Sequence, residues 1–137
     1  MSELHDSVVE QLGIHECWDL LTANDFGRLA VATDTGVDIF PMNYLLRDRE
    51  IFLRSAPGSK LASITQRPSI AFEVDGRRFR RRWSIVVKGN IVRLGFDSEI
   101  VESGILELKS LNPTAKWNYL RISPESVTGR RFTASRR

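Results

Sequence analysis

The chain has 137 residues, 42% of them hydrophobic, which suits one globular domain with a single core. Its net charge of +3 is too small to argue for nucleic acid unless it is focused, as it is in the arginines of residues 77–82 and near the C-terminus. No apolar run approaches the roughly 20 residues of a membrane span. The acidic start lacks a secretory pattern, and one cysteine excludes an intramolecular disulfide, so a cytoplasmic location is expected.

Residues 3–11 read as a loose first helix. Ile14 to Ala23 is a stronger one, with Cys17, Trp18, Leu20 and Leu21 as an apolar stripe and Glu16 and Asp19 facing outward. Gly27 to Thr33 is a strand with Leu29 and Val31 on one face, and Asp34-Thr35-Gly36 is a hairpin turn. Val37 to Leu46 is strand-like with two apolar faces, as in a barrel wall. Pro41 cannot donate to a ladder, so it marks an edge, a bulge or a place where pairing is released. Arg47 to Glu50 turns the chain into the strand Ile51 to Ser55.

A polar loop and a short helix, Lys60 to Gln66, come next. Ser69 to Val74 is a strand with Ile70, Phe72 and Val74 on one face, ended by Asp75-Gly76. Trp83 to Leu94 is the longest strand signal, with Gly89 as a bend or bulge. Ser98 to Leu108 reads as a second helix, and Tyr119 to Ile122 and Val127 to Phe132 as two strands around Pro124. Short, closely spaced strands with few helices predict a small antiparallel barrel plugged by the first helix.

Arg54-Ser55-Ala56-Pro57-Gly58-Ser59-Lys60 joins a strand end to a helix start. Free backbone N–H groups and the helix dipole attract anions there; Arg54 adds a bidentate fork, Lys60 a point charge, and both serines hydroxyl donors. The loop reads either as a cradle for a cofactor phosphate or as a solvated Pro-Gly connection.

An ordered set of segments extends this reading: Gly27-Arg28-Leu29-Ala30, Phe40-Pro41-Met42-Asn43-Tyr44, Phe52 to Leu61, Ala71 to Asp75, Trp83 to Gly89, and Val127 to Arg131. Together they resemble the pyridoxamine 5′-phosphate oxidase-like, flavin-binding split-barrel family, in its small single-domain form. The resemblance implies a mainly β (α+β) fold: a six-stranded antiparallel split barrel with an N-terminal helix and one or two short helices, its core spanning residues 14–132. It also implies a homodimer with cofactor sites between subunits. Arg54, Ser55 and Lys60 match the family's phosphate-binding segment, and Trp83-Ser84 a strand start that approaches the phosphate. Pro41, Met42 and Asn43 match the strand along the isoalloxazine ring, and Phe72-Glu73 a strand of the same pocket. FMN is the expected cofactor; a deazaflavin and haem are alternatives, with His15 a weak axial candidate for haem. The expected function is an oxidoreductase of unknown substrate. The C-terminal segment of the true vitamin-pathway oxidase has no counterpart here.

Arg77, Arg78, Arg80, Arg81 and Arg82 surround Phe79. The run reads as a solvated loop or as a site for an anionic tail, such as a deazaflavin's polyglutamate. With Arg130, Arg131, Arg136 and Arg137 it supports a rival class, a nucleic-acid or anion-binding protein without redox chemistry. Cys17 reads as a small core residue, and two histidines with one cysteine are too scattered for zinc.

Overall fold

A computed structural model describes residues 8–56, 64, 66–95, 100, 102–105 and 118–133 of the chain. Its elements are β1 (Val8–Gln11), α1 (Ile14–Thr22), β2 (Phe26–Thr33), β3 (Gly36–Arg47), β4 (Glu50–Ser55), β5 (Ser69–Arg78), β6 (Arg81–Arg93) and β7 (Asn118–Thr133). The strand order β1-β7-β4-β3-β2-β5-β6, with β6 also paired to β7, closes β2 to β7 into an antiparallel six-stranded ring. This is a split barrel. β1 adds to the second half of β7, beyond the residues that pair with β4.

Period-two alternation builds the interior. Leu29 and Val31 of β2, Tyr44 of β3, Phe72 and Val74 of β5, and Ile85, Val87 and Ile91 of β6 are buried in one cluster. A smaller cluster of Phe52, Leu94 and Ile105 covers the other face of β4, so this strand is apolar on both sides.

α1 packs its apolar stripe against the ring. Cys17 and Leu21 are buried, and a Cβ at Gly129 of β7 would lie 2.7 Å from the Cys17 sulfur, so glycine sets how closely helix and strand approach. The β3–β4 turn places Asp48 and Arg49 at φ 51° and 61°, and the Arg49 guanidinium lies 5.5 Å from the Trp18 ring centroid. That cation–π contact ties the turn to the helix.

Several boundaries depart from the sequence reading. Val8–Gln11 is a strand rather than part of a helix, because the long β7 offers it an edge and Val8-Val9 suits extended backbone. β5 continues through Asp75-Gly76 to Arg78: Gly76 leaves room for its cross-strand partner Trp83, whose indole would lie 2.5 Å from a Cβ there. The two expected last strands are one 16-residue strand. Pro124 is tolerated because the pairing of β7 with β4 ends at Ile122, and Pro124 meets β6 at the bulge between Lys88 and Gly89. Pro41 sits where β3 pairs only with β2, since β3 meets β4 from Tyr44 onward. The expected helix Lys60 to Gln66 lies largely outside the described residues. Of the Ser98 to Leu108 helix, Glu102 and Ser103 are helical and Ile105 is buried. No helix among the described residues is long and apolar enough to cross a membrane.

Candidate functional site

The pleat divides the sequence-predicted site residues between two faces. Tyr44 and Leu53 are paired and buried, so Asn43 and Arg54, one residue further along each strand, face outward together at the β3–β4 boundary. Pro41 is exposed on the same side of β3, while Met42 turns inward and packs on the core. Ser55 is 3% exposed, and its hydroxyl donates to the Ala56 carbonyl at 3.3 Å. Phe72 is fully buried, its ring edge-on to Tyr44 at 5.4 Å and 81°, whereas Glu73 emerges on the outer face. Trp83 is buried and the half-buried Ser84 faces outward, opposite Arg130 of β7. Lys60 lies outside the described residues.

Each adjacent pair therefore turns one side chain to the outer surface and one to the core. Asn43, Arg54, Pro41, Glu73 and Ser84 are the outward members. Arg54 and Asn43 bring a guanidinium and an amide together, a donor pair suited to an anionic group and to the polar edge of a ring, whereas Ser84 stands opposite Arg130, far along β7 from Tyr119, the partner of Arg54.

An ion-pair cluster lies across β2 and β5 on this outer face. Arg28 Nη1 donates to Glu73 at 2.8 Å and to Asp75 at 3.1 Å. The register explains it: Arg28 is level with Glu73 on β5 and with Pro41 on β3. Partial desolvation raises the Glu73 pKa above the ordinary carboxylate range; the hydrogen bond with Asp75 adds to this, and Arg28 opposes it. A Cβ at Gly27, next to Arg28, would meet the Glu73 carbonyl at 2.6 Å and the Phe72 ring at 2.7 Å, so glycine lets β2 and β5 close on each other.

The Cys17 thiol is pushed up by burial first and by the Glu16 carboxylate second, so it is a poor nucleophile. Among the described residues no three histidine, cysteine or carboxylate side chains gather as a metal site.

The model of the pyridoxamine 5′-phosphate oxidase family matches residues 14–131. The chain belongs to that family. A Corynebacterium glutamicum protein provisionally named a pyridoxamine 5′-phosphate oxidase is 35% identical, with 94% of this chain and 96% of that one covered and a TM-score of 0.83. An FAD-binding protein from Mycobacterium smegmatis is 31% identical, with coverage of 90% and 98% and a TM-score of 0.78. An FAD-binding protein from Mesorhizobium loti is 26% identical, with coverage of 93% and 98% and a TM-score of 0.74.

Within this family member, sequence reasoning gave Arg28 no site role. The signal that finds it is register, since a cation on β2 and two carboxylates spaced by two on β5 meet only once the strands are aligned. It also gave Tyr44 no structural role beyond the strand, yet this hydroxyl fastens α1 to the barrel.

Proposed function

We propose that the chain is a flavin-binding oxidoreductase, with FMN as the preferred cofactor and the site shared between two copies of the chain. One observation carries the reading: Arg54 and Asn43 emerge together on the outer face beside the exposed Pro41, at the strand end that leads into the basic Ser55–Lys60 segment. Family membership and the FAD-binding relatives support a flavin.

The donor set fits a phosphate monoester. Arg54 would supply the charge-assisted bond, with Lys60 as a second cation; Ser84, distant from Arg54 within one chain, would donate its hydroxyl only from the second copy. The Ser55 hydroxyl, already given to Ala56, contributes little. A bound flavin supplies the electron or hydride transfer. The chain binds and orients: Asn43 offers an amide to a ring edge, Pro41 presents a flat apolar surface without an N–H, and the Arg28–Glu73–Asp75 cluster fixes the charge beside them. No side chain has to act as nucleophile or general base.

Titration of the dialysed protein with FMN, FAD, a deazaflavin and haem, followed by absorbance, tests the reading. FMN should give a saturable spectral shift. In Arg54→Ala with Lys60→Ala, its affinity should fall at least about tenfold with an unchanged circular dichroism spectrum, since each charge-assisted contact contributes on the order of 1.5–3 kcal/mol. Unchanged affinity would remove the phosphate from Arg54.

A further inference from the structure

A cleft of about 980 Å³ opens between α1 and the β5–β6 hairpin. Leu20, Ala23 and Trp83 give it an apolar lining, and Phe79 with Arg78, Arg80 and Arg81 forms one side. Of its two carboxylates, Glu16 is paired with Arg131, which leaves Asp19 facing three arginines.

The hairpin carries three unfavourable features at one place. Arg77 is level with Arg82, and Arg78 with Arg81, so two pairs of like charges stand directly across the ladder. Phe79 begins the turn at φ 58° and is 86% exposed, an uncommon backbone region for a bulky side chain and an unfavourable setting for its ring. Among the described residues, Arg78, Arg80 and Arg81 form no ion pair that offsets the repulsion. An anion bridging them would offset it, and a planar ring could stack on Phe79, beside which the Arg78 guanidinium already lies at 5.8 Å.

We propose that this cleft is a second ligand site, for a small molecule with a planar ring and a phosphate or carboxylate group. It is separate from the Arg54 end of the molecule. Arg54 pairs with Tyr119 near the start of β7, whereas Arg131 and Thr133, near its end, border the cleft. Trp83 lines the cleft from the inner side of β6, while Ser84 faces the outer surface. The inference stands on the hairpin and holds whether or not the outer face takes a flavin.

The test is calorimetric titration of the full chain with phenyl phosphate, benzoate, inorganic phosphate and phenol. Phenyl phosphate, benzoate or both should bind saturably, and the tighter of the two names the anionic group. Inorganic phosphate and phenol, lacking ring or charge, should bind at least about tenfold more weakly. Phe79→Gly relieves the positive φ without loss of fold, and Arg80→Ala changes an exposed turn residue; each should weaken binding at least about fivefold. Arg54→Ala should leave it unchanged. Absence of binding, equal affinity for all four probes, indifference to both hairpin substitutions, or loss of binding in Arg54→Ala would each overturn the proposal.

Discussion

Tyr44 donates its hydroxyl to the main-chain carbonyl of Leu21 at 2.5 Å, inside the core and across the junction of α1 with β3. Leu21 sits in the last turn of α1, where carbonyls lose their helical partners, so the phenol satisfies a buried acceptor. Tyr44→Phe keeps the ring and its edge-on contact with Phe72 and leaves that carbonyl only its long backbone bond, from the Asn24 N–H at 3.5 Å. Unfolding free energy should fall by about 0.5–1.5 kcal/mol, measured by urea titration. The Tyr44 hydroxyl pKa is raised, by burial first and then by the Asp25 carboxylate. The folded state therefore keeps a proton that the unfolded chain releases above about pH 10, and wild-type stability should fall with rising pH there. Tyr44→Phe should flatten that alkaline slope; an unchanged slope would assign it to another group.

Glu73 titrates in the opposite part of the scale. Its carboxyl binds a proton more tightly in the folded than in the unfolded chain. Stability should therefore decline as pH rises from the unfolded glutamate range, near about 4.3, through the raised folded value. Glu73→Gln should remove that decline while Arg28 keeps Asp75 as a partner. Thermal melts across mildly acidic pH check this, and parallel curves for the two proteins would refute it. Glu73 is about one-third exposed, so the effect should be modest.

Gly89 marks the bulge opposite Pro124, and a Cβ there would lie 2.2 Å from the Ser123 carbonyl oxygen, a main-chain atom that cannot swing aside. Gly89→Ala should destabilise the barrel by about 1–3 kcal/mol or more. Gly95→Ala is the control, because a Cβ there meets nothing within 4 Å. Equal melting temperatures for the two variants would refute the bulge argument.

The sequence carried much of this barrel. Trp83, Ile85, Val87 and Ile91 alternate inward along β6 as periodicity predicts, and Gly89 falls at the bulge. Continuity of β5 through Gly76, and of β7 through Pro124, was not legible. Local signals there favour turns, and only the partners decide: Trp83 folding over Gly76, and a bulge opposite Pro124. The candidate site was legible as segments rather than as side chains. Arg54-Ser55 and Phe72-Glu73 were found as pairs, but which member faces outward depends on the pleat. The pairing of Arg28 with Glu73 and Asp75 joins strands distant in sequence and required their register.

The outer face of β2 and β3 leads to the last prediction. Val37 and Ile39 are 67% and 63% exposed, and Ala32, Ala30 and Pro41 lie around them in register. β3 is apolar on both sides, yet one chain covers only one of them. A shallow hollow of about 360 Å³, lined by Val37, Ala30 and Ala71, lies on this same face. Burying such a surface is favourable by roughly 25 cal/mol per Å² of apolar area, and a second copy of the chain presents the same apolar surface to it. The wild-type protein should sediment as a dimer, and Val37→Asp with Ile39→Glu should sediment as a monomer. Because both residues are exposed within one chain, the monomer should keep its fold and its circular dichroism spectrum. Flavin affinity should fall together with the dimer, because the proposed site is shared between copies. A variant that stays dimeric would place the interface elsewhere, and a monomer that binds flavin as tightly as the wild type would place the whole site within one chain.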